Sequence, residues 1–240
     1  YAPEAGQSTA PNPPVRVVIG GAPPSRAVLK QAATAGFDVT HMYGLTETYG
    51  PVTVCDWRPE WNGLPDDEKA VLMARQGVGN MVTNGPRVIS DDGGDVPRDG
   101  ETLGEIAFRG NNVMVGYYRD AKATADSTPG GWFHTGDVGV MHPDGYVELR
   151  DRRKDVIISG GENIASVEVE LVVMDHPSVR GAAVVGRRDD KWGEVPVAHV
   201  ELHPGLSATE AEIIEFVRDR LARFKAPKAV VFGDLPRTST

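Results

Sequence analysis

Gly131-Trp-Phe-His-Thr-Gly-Asp137, followed by Asp151-Arg-Arg-Lys-Asp-Val-Ile-Ile-Ser-Gly-Gly-Glu-Asn-Ile164, is the stretch on which the reading of this chain turns. An aspartate follows a glycine turn, a basic segment stands behind it, and a glycine loop comes next. An ionised Asp137 offers two acceptor oxygens, enough for a pair of ribose hydroxyls. The alternative is a turn aspartate folded back on its own backbone. Arg152 can donate to a ribose or a phosphate, or simply form a surface ion pair. Ser159-Gly-Gly-Glu-Asn163 gives either a backbone path for a thin substrate, since glycine lets a ligand approach the main chain, or a strand-to-helix turn.

Immediately around this stretch the pattern is strand-rich. Glu105-Ile-Ala-Phe-Arg109 and Val113-Met-Val115 read as strands. Val138-Gly-Val-Met141 and Tyr146-Val-Glu-Leu149 read as a hairpin around Pro143-Asp-Gly145, giving a small antiparallel or barrel-like unit. Downstream, a strand at 156–158, a helix at 166–176, strands at 179–186 and 195–202, and a last strand at 228–232 describe a compact second domain. Its second helix carries a capping box at Ser207 and Glu210, with Ile213, Val217 and Leu221 on one face.

Upstream, Val15-Arg-Val-Val-Ile19 is a buried strand entering the turn Gly20-Gly-Ala-Pro-Pro24. Ser25 caps a helix that reaches Ala35 and stops at Gly36, and Phe37-Asp-Val-Thr-His-Met-Tyr43 is the next strand. Strand, helix, strand implies a parallel sheet. Tyr43-Gly-Leu-Thr-Glu47 then falls at a strand end, where such sheets place their ligand crevices. A threonine there can bond a phosphate, a carboxylate can hold magnesium and a ring can stack on a base; a strand-end turn with ordinary polar residues is the other reading. Residues 55–77 are an excursion, a loop with Trp57, Pro59, Trp61 and Pro65 packing on itself, then a short helix at 66–75. Pro3 to Pro14 reads as a connector.

The fold class is therefore α/β: the end of a parallel α/β sheet domain with a small β-barrel-like unit, then a compact α+β C-terminal domain. Domain limits of 1–152 (sheet piece 15–90, β-rich unit 100–150) and 153–240 follow, with the charged stretch Asp151 to Asp155 as the natural hinge. No internal repeat is present.

The 240 residues carry 25 Lys plus Arg against 34 Asp plus Glu, a net charge of −9, which disfavours nucleic acid and anionic membranes as partners. Small molecules fit better. The single cysteine, Cys55, excludes a disulfide framework and a multi-cysteine zinc site and agrees with a cytoplasmic location. His134, His142 and His176 lack metal-ligand spacing. No apolar run is long enough to suggest a membrane span and no signal-peptide pattern opens the chain. The start at Tyr1 and the stop in Leu235-Pro-Arg-Thr-Ser-Thr240 suggest a piece of a longer protein.

Together, Gly20-Gly-Ala-Pro-Pro24, Tyr43-Gly-Leu-Thr-Glu47, Gly131 to Asp137, Arg152-Arg-Lys-Asp155, Ser159 to Asn163 and Trp192-Gly-Glu-Val-Pro196 resemble, over residues 15–240, the adenylate-forming superfamily, specifically AMP-forming acyl-CoA synthetases. The resemblance implies that a carboxylic acid is activated with ATP to an acyl-adenylate and transferred to coenzyme A, releasing AMP and pyrophosphate. It implies that Tyr43, with Gly44 beside it, lies against the adenine, that the backbone of Gly20, Gly21 and Ala22 lines the adenine and acyl pockets, and that Thr46 binds phosphate. Glu47 would hold Mg2+, Asp137 and Arg152 the ribose, Lys154 the hinge position, and Gly160 and Gly161 the pantetheine channel.

Residues 55–77 are similar to the branch of plant-type acyl-activating enzymes, methylmercaptopropionate-CoA ligases and medium-chain fatty acid-CoA ligases, which favours short or medium acids. An adenylation enzyme loading a carrier protein, and an AMP-binding module without turnover, are the competing readings. Two family features have no match in residues 1–240: the phosphate loop ending in lysine and the adenylation lysine. The chain alone is therefore expected to give negligible acid-dependent pyrophosphate exchange. An incomplete sheet is expected to leave apolar surface that promotes self-association.

Overall fold

A computed structural model describes residues 11–21 and 24–236. Most of the expected connector, Ala22 and Pro23 of the first glycine turn, and the final residues from Arg237 lie outside the described residues.

The first sheet begins with β1 (Val15–Ile19), which crosses through α1 (Arg26–Thr34) to β2 (Phe37–Leu45), and the two strands pair in parallel. Ser25 caps α1 as its sequence position predicts, its side chain accepting from the Val28 N–H at 3.3 Å. After β2 the direction changes. A single turn at Thr46–Thr48 ends at Tyr49, whose φ of 52° reverses the chain into β3 (Gly50–Val54). β3 and then β4 (Val78–Gly79) pair antiparallel, so the sheet is mixed rather than parallel throughout. Gly44 is obligatory at the turn, because a Cβ there would run into the Gly50 carbonyl.

The excursion packs as expected. Trp57, Trp61 and Tyr146 form a chain of edge-on ring contacts at 5.4 and 5.3 Å, and α2 (Asp66–Met73) follows. Leu29, Val39 and Ala70 join α1, β2 and α2 in one cluster.

The β-rich unit is an open sheet of β5 (Arg87–Ile89), β6 (Gly104–Phe108), β7 (Phe133–Met141) and β8 (Val147–Arg152), antiparallel in sequence order and not a closed barrel. α3 (Ala121–Ser127) lies between β6 and β7 in the chain. Val113 to Val115 is not a strand: the Met114 N–H bonds the Glu47 carbonyl at 2.7 Å and Val115 points fully into solvent. An apolar run of three residues is too short a signal to separate strand from turn. Val52, Val88, Ile106, Phe108 and Val147 share a core, locking the two sheets together.

The second unit has its own core. β9 (Ile157–Ser159) and β10 (Glu162–Ile164) form a hairpin about Gly160 and Gly161, with φ of 62° and 88°, and α4 (Ser166–Met174) follows. β11 (Val179–Asp189) and β12 (Gly193–Leu202) pair over their length, and β13 (Ala229–Phe232) lies parallel to β12. α5 (Glu210–Arg218) presents fully buried Ile213 and Val217. The apolar cluster beneath these elements is built from residues between Ile157 and Val230 alone. The capping box of α5 is Thr209 with Glu212, not Ser207 with Glu210.

Candidate functional site

Asp137 is the centre of the site. The mixed and the antiparallel sheets meet where β2 ends beside β7, and Tyr43 donates its hydroxyl to Asp137 Oδ2 at 2.5 Å across 94 positions of sequence. Register places Asp137 opposite Arg152 on β8, and Arg152 Nε stands 3.5 Å from Asp137 Oδ1. The carboxylate is only 4% exposed. Burial raises its pKa, against the opposing hydrogen bond from Tyr43 and the charge of Arg152. The Tyr43 phenol is pushed well up by burial and then by the neighbouring Asp137 charge, so it remains a donor at neutral pH.

A residue that the sequence reading did not single out holds this turn. Glu105 on β6 accepts from the Gly136 N–H at 2.9 Å, lies 3.0 Å from His134 Nδ1 and pairs with Arg153 Nη1 at 3.1 Å. It thereby fixes both the segment leading into Asp137 and the basic segment behind it. Its strand alternation resembles that of any half-buried acid, and only the tertiary pairing of β6 with β7 exposes the role. Tyr117 was missed for the same reason: its hydroxyl donates to Glu47 Oε1 at 3.0 Å from a loop 70 positions away. Burial, then the Glu47 partner, raises the Tyr117 pKa.

Gly20, Gly21, Tyr43, Gly44, Thr46, Glu47, Asp137, Arg152 and Lys154 all line one cleft of about 920 Å³. A second cleft of about 590 Å³ shares Gly21, Tyr43, Gly44, Asp137, Arg152 and Lys154 and runs on between the two units to Ile157, Glu170 and Val184. Gly160 and Gly161 are not in either lining; they sit at the β9–β10 turn, where the Gly160 N–H bonds the Trp192 carbonyl at 2.7 Å. A Cβ on Gly160 would stand 2.7 Å from the indole Cε3 of Trp192. Two separate motifs of the sequence are thus one surface feature, a glycine turn under a half-exposed indole with Lys191 Nζ 4.7 Å over its ring.

Among the described residues no group of three or more His, Cys, Asp or Glu is arranged to hold a metal ion. The donor set nevertheless fits magnesium, which binds through one or two carboxylates together with phosphate oxygens and water rather than in an all-protein cage. Glu47 supplies one such carboxylate on the cleft wall.

A buried acceptor paired with an arginine, a lone carboxylate and glycine backbone converge on a cleft of nucleotide size. Comparison with known proteins agrees: the AMP-binding enzyme family model matches residues 2–118 and the AMP-binding enzyme C-terminal domain model matches residues 168–240. The chain belongs to the adenylate-forming, AMP-binding enzyme family. It is 54% identical over 231 residues to a 2-methylpropanoate–CoA ligase of Humulus lupulus, covering 94% of this chain and 42% of the relative. It is 48% identical over 226 residues to 4-hydroxybutyrate–CoA ligase 2 of Metallosphaera sedula, covering 94% and 41%. The chain therefore spans about two-fifths of the length of these family members.

Among solved structures of the family, o-succinylbenzoate CoA synthetase from Bacillus subtilis in complex with its acyl-adenylate intermediate superposes with a TM-score of 0.78 at 35% identity, over 92% of this chain and 43% of that one. The amide bond synthetase McbA from Marinactinospora thermotolerans gives a TM-score of 0.82 at 33% identity, over 92% and 43%. No helix among the described residues is long and apolar enough to cross a membrane.

Proposed function

We propose that this chain is the part of an AMP-forming acyl-CoA ligase that holds the nucleotide and presents the thiol acceptor. The reaction joins a short- or medium-chain carboxylic acid to coenzyme A at the expense of ATP, as an entry to fatty-acid metabolism in the cytoplasm. The observation that carries the reading is the buried Asp137 carboxylate beside Arg152 and Tyr43 on the wall of a cleft that also contains Glu47.

In the first half-reaction a carboxylate oxygen of the acid attacks the α-phosphorus of ATP, and the bond to pyrophosphate breaks. Asp137 would accept from the two ribose hydroxyls, with Arg152 donating beside it. Tyr43, fixed through its own hydroxyl and packed against Phe108 at 5.9 Å, would keep one ring face toward the adenine. Gly20, Gly21 and Gly44 let the ligand reach the backbone. Thr46 would donate to a phosphate oxygen. Magnesium on Glu47 would neutralise charge on the phosphates, and positioning plus electrostatic stabilisation is what phosphoryl chemistry chiefly requires.

In the second half-reaction the thiol sulfur of coenzyme A attacks the acyl carbon and AMP leaves. The Gly160–Gly161 turn under Trp192 would line the approach of the pantetheine arm. We take residues 1–152 and 153–240 as the two domains, with Lys154 as the hinge. The exposed segment 152–155 is the single covalent connection between two separately built cores.

The test uses the full-length protein: acid-dependent ATP–pyrophosphate exchange over short, medium and aromatic acids, then thioester formation with coenzyme A. Exchange followed by thioester supports the reading and names the acid class. Exchange without thioester moves the acceptor to a carrier-protein thiol, and no exchange with any acid leaves an AMP-binding module.

A further inference from the structure

α4 begins without a cap of its own. Its N-cap position is Ala165, which has no side chain able to accept from the first turn. Asp151 supplies the missing acceptor from the other side of the connecting segment. Its Oδ2 accepts from the Ser166 N–H, and its Oδ1 takes the Ser166 hydroxyl at 3.2 Å and the Arg152 N–H at 2.7 Å. Asp151 and Ser166 are 1% and 5% exposed, so the contact is dry.

Asp151 belongs to β8 and Ser166 to α4, on opposite sides of segment 152–155. The adjacent residue, Arg152, faces Asp137 in the nucleotide cleft. Two neighbouring positions on one strand thus serve the ligand and the second unit. We infer that Asp151 is a positioning residue, a latch that caps α4 across the connection and holds the second unit in the orientation seen here. If the second unit turns about Lys154, these bonds cannot be kept, and the helix N-terminus must exchange the carboxylate for water. This inference rests on the hinge reading given above and needs no assumption about the acid substrate.

The experiment is a spin-label distance measurement on the full-length protein, with labels at Asp92→Cys and Arg188→Cys, exposed positions on the two units. Cys55 is buried, with its thiol pushed up by burial to about 12, and does not compete for the label. The native Asp151 is expected to give one dominant distance. Asp151→Ala should raise the population of other distances by roughly five- to tenfold, the scale of a lost helix cap. Asp151→Asn, which keeps an acceptor oxygen, should fall between.

An Asp151→Ala distribution identical to that of the parent, at unchanged helix content, overturns the latch. Should Asp151→Ala fail to fold, Asp151→Asn and Ser166→Ala are judged by the same criterion. Lys154→Pro separates the two ways of failing. If it shifts the distances while the Asp151 and Ser166 variants do not, the latch alone is wrong; if it too changes nothing, the hinge reading fails and the latch with it.

Discussion

At the residue scale the site works against stability. Asp137 is held in a place that raises its pKa through burial, so the folded protein favours the protonated acid relative to the unfolded chain. The stabilising contribution of such a group is complete below the unfolded value, about 4, and is lost as pH rises through the raised folded value. Ionising Asp137 in the fold carries a burial cost that Tyr43 and Arg152 only partly offset. Asp137→Asn should therefore raise the melting temperature of the ligand-free protein at pH 7, with the difference closing below about pH 4. The same substitution should weaken AMP binding by about 2 kcal/mol, as expected for hydrogen bonds to a charged acceptor. Thermal melts across pH and calorimetric AMP titration check the two halves, and a destabilised Asp137→Asn with intact AMP affinity would reverse the assignment. Asp137 was legible in the sequence as a candidate. Glu105, which holds the Gly136 N–H, and Tyr117, which holds Glu47, were not, because each reaches the site through a contact spanning 31 or 70 positions.

At the element scale, the glycine turn between β9 and β10 combines two demands. Gly160 sits at φ 62° and has Trp192 where its Cβ would go. Gly160→Ala must displace the indole and strain the backbone. Thioester formation by the full-length enzyme is expected to fall at least tenfold, about 1.4 kcal/mol in the barrier, with pyrophosphate exchange close to normal. Equal losses in both assays would show that the turn matters only for folding. α5 supplies a stability counterpart. Thr209→Ala removes the side chain that accepts from the Glu212 N–H and should cost about 1 kcal/mol, read as an earlier urea transition of the second unit.

The same helix shows where local reading stops. Ser207 with Glu210 and Thr209 with Glu212 both satisfy the capping pattern, and nothing within that segment chooses between them. The choice is tertiary: the Glu210 carboxylate accepts from the Val230 N–H at 3.0 Å and is committed to β13. Strands long enough to bury a face, such as β2 and β12, were legible from their apolar runs; β1 was legible as a strand but is an exposed edge rather than the buried strand its apolar run suggests, because nothing pairs with its outer side among the described residues. β4, β5 and β10, of two or three residues, exist through pairing and leave no periodic trace.

For the whole molecule, the decisive feature is apolar surface left on the first sheet and its surroundings. β1 is the edge strand of its sheet, with Val15 47% and Val18 60% exposed, and Val28 on α1 and Phe37, the register partner of Val15, are exposed as well. Tyr49, Met81, Val115 and Tyr118 are also largely or fully exposed. An edge strand offers unpaired N–H and C=O groups, and here the one charge on β1, Arg16, is paired with Asp38 at 3.9 Å while apolar side chains beside it stay exposed. Soluble monomers rarely present contiguous apolar patches beyond a few hundred Å². Residues 1–240 should therefore self-associate, with a weight-average sedimentation coefficient that rises with concentration. Val18→Lys places a charge on the exposed face of β1 without touching the core, since only the partly buried Val17 and Ile19 turn inward. That variant should sediment closer to a monomer at the same concentration, with its helix content and melting temperature unchanged. A parent chain that remains monomeric throughout the concentration range would mean that the edge is covered in solution, and the exposed valines would lose their standing as an association surface. A parent that associates while Val18→Lys associates equally would move the contact to the Tyr49, Met81 and Tyr118 surface, where Tyr118→Lys is the corresponding probe.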